Sequence, residues 1–181
     1  MYKIIIYGDC NKKLIGMKLC NALSRHGGVL YFCGGKAREI SIGNPNFIVY
    51  ETDFLQSLNI KDCVIIFNNN DDKHQPNIIS STHISCIVNA QNSVALSQLL
   101  NLSLPAIVYG MSPRDSITIS SINDTDAVIC VQRELVLQSG KVLEPCEFKV
   151  LHTEHLDEDD IMTISSVLIL YEKFKDGIIE I

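Results

Sequence analysis

Gly8-Asp9-Cys10-Asn11-Lys12-Lys13 brings the ingredients of an anion site into six consecutive residues. An apolar run, KIIIY at residues 3–7, precedes it and a helix-periodic segment follows. A strand-to-helix turn of this kind presents free backbone N–H groups beside ammonium groups, the arrangement that cradles phosphate. Gly8, Asn11, Lys12 and Lys13 are therefore the candidate phosphate- or nucleotide-binding residues. The competing account is a plain strand–helix turn with solvent-facing lysines. The segment lacks G-x-G-x-x-G and is no dinucleotide fingerprint. Cys10 would lie at the helix N-terminus beside two lysines, which lowers a thiol's pKa. A thiol nucleophile also needs a base and a pocket, and the sequence identifies neither, so no catalytic residue is assigned.

Other side chains are weaker candidates. Glu51 and Asp72 end apolar runs and could offer hard oxygens to magnesium; acids that simply end strands are the alternative. His152-Thr153-Glu154-His155 precedes a run of acids, but those acids are better explained as the negative start of a helix than as zinc chemistry, and no metal site is expected. Arg114, Asp115 and Arg133 read as surface or ion-pair residues. Ser120-Ser121 has no G-x-S-x-G context for a serine hydrolase.

The elements that would position these residues follow from periodicity. Strand candidates at residues 3–7, 29–33, 47–51, 62–67, 84–89 and 106–109 are separated by crossovers. Ile15, Leu19, Ala22 and Leu23 share one helical face, and residues 93–102 form a second helix that Pro105 stops. This rhythm predicts a mostly parallel sheet flanked by helices, an α/β fold of three layers. After Gly110 the texture changes to consecutive hairpins: residues 116–122, 127–137, 141–143 and 147–151 predict a small antiparallel extension. Asp157 to Asp160 open a closing helix whose apolar face is Ile161, Ile164, Val167, Leu168, Tyr171 and Phe174. Lys173 and Lys175 lie at its end, opposing the dipole, and Gly177 terminates it. The expected organisation is one domain: a parallel part over 1–110, hairpins over 111–155 and the helix over 156–181.

Composition bounds the function. The 181 residues are 46% hydrophobic, and a chain of that length buries roughly 70% of its unfolded surface without needing disulfides or metal. Seven cysteines, an odd number without CxxC spacing, read as small hydrophobes in a reducing cytoplasm. No 18-residue apolar run and no leader-like segment point to a membrane or to secretion. A net charge of −6 argues against nucleic acid. Residues 1–38, however, hold seven basic residues against the single acid Asp9, a local field suited to a small anion.

The order of the pieces resembles the central, nucleotide-binding domain of the Mur ligases, ATP-dependent enzymes that form amides on cell-wall precursors. IIIYGDCNKKLIGMKLCNALSRHGG is similar to that family's strand, GTNGKTT loop and helix, with Gly8 at the first glycine and Lys12 at the phosphate-binding lysine. FIVYETDFLQSL resembles the strand whose acid helps hold magnesium, with Glu51 as its counterpart. DCVIIFNNNDDKH resembles the strand leading into TN-x-x-DH, placing Asn68 and Asp72 at the asparagine and aspartate. CIVNAQNSVALSQLL, AIVYGMSPRDSITISSI and EFKVLHTEHLDEDDIMTISSVLILYEKF match the later strands and the long helix.

The departures from that pattern set the functional expectation. Asn11 replaces the second glycine, and Asn tolerates positive φ, but Lys13 replaces the hydroxyl that would reach magnesium. Lys73 occupies the histidine position, with His74 one residue late, and no counterpart of the carbamylated-lysine segment is found. Flanking substrate domains are also expected to be missing. The resemblance thus implies a shortened domain with a degenerate phosphate loop: a non-catalytic cytoplasmic protein binding a protein partner or a small anionic ligand, without a resident cofactor. The alternative is a divergent nucleotide-binding protein, or a component of an ATP-dependent amide ligase using ATP and magnesium. A thiol enzyme using Cys10 is a third class.

Overall fold

A computed structural model describes residues 1–8, 15–41, 43–68, 77–79, 83–152 and 156–181. In chain order the elements are β1 (Tyr2–Gly8), α1 (Ile15–Ser24), β2 (Gly28–Cys33), β3 (Lys36–Glu39), β4 (Pro45–Thr52), β5 (Ser57–Asn59), β6 (Cys63–Asn68), β7 (Asn77–Ile79) and β8 (Ile84–Asn89). There follow α2 (Ser93–Leu102), β9 (Ala106–Tyr109), β10 (Ile117–Ile122), β11 (Asp126–Val131), β12 (Leu135–Val136), β13 (Val142–Leu143), β14 (Cys146–Leu151), α3 (Glu158–Leu170) and β15 (Ile178–Glu180).

Eleven strands form one sheet in the order β15-β14-β11-β10-β9-β8-β6-β1-β4-β2-β3. From β9 through β2 every pairing is parallel. The β10–β11 and β11–β14 pairs are antiparallel. The predicted mostly parallel α/β sheet with an antiparallel extension is what the chain forms. The hairpins continue the main sheet edge to edge; they do not stack on it as a further layer. Two small pairs, β12–β13 and β5–β7, stand apart.

β1 is buried on both faces, and its alternate residues serve two cores. Ile4 and Ile6 join the larger core with α1 and α3, whereas Ile5 and Tyr7 join a smaller one with Ala95 and Leu99 of α2. Such two-sided burial is why KIIIY is nearly all apolar. α3 is buried without a break from Asp160 to its end at Leu170, so its apolar face is wider than the sequence stripe indicated. Asp157 caps it, accepting from the Asp160 N–H at 2.8 Å, while the Asp160 side chain reaches back to the Asp157 N–H, a reciprocal box.

Two boundaries depart from expectation, and further strands join them. α3 ends at Leu170, so Lys173, Phe174 and Lys175 lie beyond it; the Lys173 ammonium sits 4.5 Å from the Tyr2 ring centroid and Phe174 packs edge-on against Phe148. The extended run over 127–137 breaks between β11 and β12, where Arg133 bends the chain. β3, β5, β7 and β15 were not expected. β3 returns antiparallel to β2 through Gly34 and Gly35, both at positive φ (56° and 73°), a turn that glycine alone adopts without strain.

Candidate crevice at the carboxyl ends of the parallel strands

The sheet order reverses at β1. The chain leaves β1 toward β2 and β4 on one side and returns through β6, β8 and β9 on the other. In open α/β sheets the crevice outside the carboxyl end of such a strand is where ligands bind. Gly8 ends β1 there, in register with Asn68 at the end of β6. Glu51 and Thr52 end β4 opposite Ile6 and Tyr7, and Asn89 ends β8 opposite Tyr109 of β9. Of the nominated anion-binding residues, Gly8 is thus at the switch point. Asn11, Lys12 and Lys13 lie outside the described residues, as do Cys10, Asp72, Lys73, His74 and residues 153–155.

Glu51 is not a free ligand at this rim. The residue is 3% exposed, and its Oε2 accepts a hydrogen bond from the Tyr31 hydroxyl of the neighbouring strand. Burial pushes its pKa up, against the lowering effect of the Tyr31 bond. Gly16 of α1 makes room for it: a Cβ at that position would stand 2.0 Å from Glu51 Oε2. Magnesium takes a carboxylate whose oxygens are open to it, and Glu51, buried against Tyr31 and Gly16, does not fit magnesium as placed.

Facing the crevice is a polar cluster that sequence reasoning missed. Asn89 Nδ2 donates to Asp159 Oδ1 at 2.8 Å, tying the end of β8 to the start of α3. The Lys18 ammonium of α1 bonds Asp160, which is 5% exposed. Burial raises the Asp160 pKa, and the Lys18 bond opposes that rise. Burial raises the pKa of Tyr109, a rise that Thr163 and Asn89 oppose. The signal in the sequence was the acid run at 157–160, which helix-dipole logic explained only in part: Asp159 and Asp160 also anchor α3 to β8 and α1.

The remaining candidates are structural. His152 is buried, its N–H donating to the Thr125 carbonyl at 3.0 Å. Among the described residues no three His, Cys, Asp or Glu side chains gather to hold a metal. Asp115 is buried rather than on the surface; it accepts from the Ser112 N–H at 2.9 Å, close under Gly110. Exposed Arg133 donates to the Arg114 carbonyl. Cys20, Cys63 and Cys86 are fully buried, and burial pushes Cys63 up to about 11 and Cys20 and Cys86 to about 12, as inert apolar residues behave.

A parallel sheet with a crevice at its central switch point, an antiparallel extension and a capped, buried closing helix defines an α/β fold, and that fold is found in Mur ligases. One solved structure similar to this chain is UDP-N-acetylmuramoyl-L-alanyl-D-glutamate–2,6-diaminopimelate ligase, with a TM-score of 0.53 at 11% identity, covering 98% of this chain and 44% of that one. A second is UDP-N-acetylmuramate:L-alanyl-γ-D-glutamyl-meso-diaminopimelate ligase from Neisseria meningitides, with 0.58 at 11% identity over 94% of this chain and 61% of that one. A third is UDP-N-acetylmuramoylalanyl-D-glutamyl-2,6-diaminopimelate–D-alanyl-D-alanyl ligase from Acinetobacter baumannii, with 0.55 at 12% identity over 95% and 43%. The chain therefore spans about half the length of the ligases it resembles. No protein-family model matches the sequence, and no curated protein matches it. No helix among the described residues is long and apolar enough to cross a membrane.

Proposed function

We propose that this protein uses a Mur-ligase-type fold without its chemistry, as a non-catalytic cytoplasmic protein that binds a partner protein or a small anion at the crevice beside Gly8. The observation that carries this reading is Glu51. The one described carboxyl that the family resemblance aligns with a magnesium ligand is sequestered between Tyr31 and Gly16. Lys13 at the hydroxyl position of the loop supports the same reading from the sequence. An ATP-dependent amide synthesis needs the cation on the triphosphate, so no such step is assigned to these residues. Calorimetric titration with ATP–magnesium is the test: no saturable heat is expected, and a saturable signal overturns the reading.

A second reading, a divergent nucleotide-binding protein or ligase component, is favoured by one feature. Gly8 ends β1 at the switch point and α1 begins at Ile15, the strand-to-helix order in which backbone N–H groups can receive an anion. Saturable binding of ATP–magnesium that Lys12→Ala abolishes would select it.

A further inference from the structure

At the opposite, amino-terminal end of the strands the sheet has a notch. β9 meets β10 only near its own end, where Tyr109 pairs with Ile117 and the Ser116 N–H donates to the Val108 carbonyl at 2.7 Å. In β9 the backbone groups of residues 105, 107 and 109 turn toward β8, as the bonds from the Cys86 N–H to the Pro105 carbonyl and from the Ala90 N–H to the Tyr109 carbonyl show. By the alternation of a strand, those of Ala106 and Val108 turn the other way; the Val108 carbonyl meets the Ser116 N–H, while no strand lies beside the Ala106 groups and the Val108 N–H among the described residues.

The far wall of the notch is β12. Leu137 donates its N–H to the Lys141 carbonyl at 2.8 Å, and Leu135 pairs with Leu143, so residues 135 and 137 face β13. Glu134 and Val136 then direct their N–H and carbonyl groups away from β13. Between β9 and β12 lies a cleft of about 510 Å³, walled by Ile107, Leu104, Leu135 and Leu137, with Arg133 and Glu134 at its mouth. That volume is within the range of ligand sites, and both long walls carry open main-chain groups.

We propose that this notch is a docking slot for an extended peptide segment of a partner protein, which would enter as the missing first half of β10 and bond β9 on one side and β12 on the other. Side chains of such a segment alternate between faces, so it would carry small β-branched apolar residues toward Ile107 and Leu135, and polar ones between. A second copy of this chain offers two sheet edges: β15 has only three residues, with Ile179 buried in its own core, and β3 does not supply the pattern either. All four residues there, Lys-Ala-Arg-Glu, are exposed and three are charged, a composition that discourages edge pairing.

Amide exchange and NMR titration of the whole protein test the slot. In the free protein the amides of Ala106, Glu134 and Val136 should exchange quickly while that of Ile87, inside the sheet, is protected. An acetylated, amidated Ser-Val-Thr-Val-Ser peptide should shift the amides of Ala106, Val108, Glu134 and Val136 saturably and slow their exchange at least tenfold. The same peptide N-methylated at both valines should bind at least tenfold more weakly. Val136→Pro removes an N–H that β13 does not use, so the hairpin survives while peptide binding falls at least tenfold. Protection of these amides before any peptide is added, no saturable shift at millimolar peptide, equal binding of the methylated peptide, or a dimer whose formation protects the same amides would each overturn the proposal.

Discussion

The two faces of the sheet are built to different depths. On one, α1 and α3 lie side by side, and the residues of β1, β2 and β4 beneath them are almost sealed: Val29, Phe47 and Val49 are fully buried and Tyr31 nearly so. On the other, α2 covers β8 and β6 but not the far strands. Leu30, Phe32 and Ile48 are half-buried there, and Tyr50 is 45% exposed. Strands that would have to be apolar on both faces under full cover are so only where a helix lies over each face. The difference teaches that stability is held asymmetrically, and substitutions matched across the sheet should show it.

The largest effect belongs to the sealed face. Leu168→Ala, at a fully buried position of α3, should cost about 4 kcal/mol, the upper half of the range for leucine cavities, because strand and helix wall in the void. Leu99→Ala on α2 removes the same atoms from the thinner face, where half-buried neighbours such as Leu96 are free to collapse inward, and about 2–3 kcal/mol is expected. Urea denaturation measures both. Equal losses would break the comparison.

Gly16→Ala comes next. Its new Cβ meets Glu51 Oε2 at 2.0 Å and the Tyr31 hydroxyl at 2.7 Å, so the carboxyl must leave its seat. Overpacking costs about 1–3 kcal/mol, from which the better helix propensity of alanine returns up to about 1. Adding Glu51→Ala relieves the clash, so the double variant should be more stable than the sum of the singles, a coupling that thermal melts detect.

How far these features were legible in the sequence varies with their cause. The parallel strands, α1 and α2 were legible because strong apolar periodicity and a stop signal, Pro105, agreed. The family resemblance predicted the fold that the structure has. β3 was not: its residues, Lys-Ala-Arg-Glu, have poor strand propensity, and only the Gly34-Gly35 pair marked the hairpin. The end of α3 was misplaced because Lys173 and Phe174 keep helical spacing while making other contacts, the ammonium over Tyr2 and the ring against Phe148. At the crevice, the acid at position 51 was legible as a residue but not as a buried one, since its burial depends on a glycine 35 positions earlier and a tyrosine on another strand. No local pattern encodes that meeting.

On the thinner face, Tyr50→Ser should cost below about 1 kcal/mol, because the side chain is 45% exposed. A loss as large as that of Leu99→Ala would mean the face is covered in solution.

The smallest expected effect, and the only stabilising one, concerns Glu51. Burial raises its carboxyl above the ordinary 4.5 in the folded protein, whereas in the unfolded chain it stays near that value. Between the two values the native state holds the proton and the unfolded state has lost it, so the unfolded state binds fewer protons and stability falls as pH rises through that window. Below pH 4.5 both states are protonated and the term vanishes. Glu51→Gln fixes the neutral form and keeps an oxygen to accept from the Tyr31 hydroxyl. It should therefore leave the melting temperature unchanged at pH 4, raise it at pH 7 and flatten the profile between. A lower melting temperature at pH 7 would show that the carboxylate is ionised and stabilised in place by Tyr31, and the magnesium ligand of the second reading would be back at the crevice.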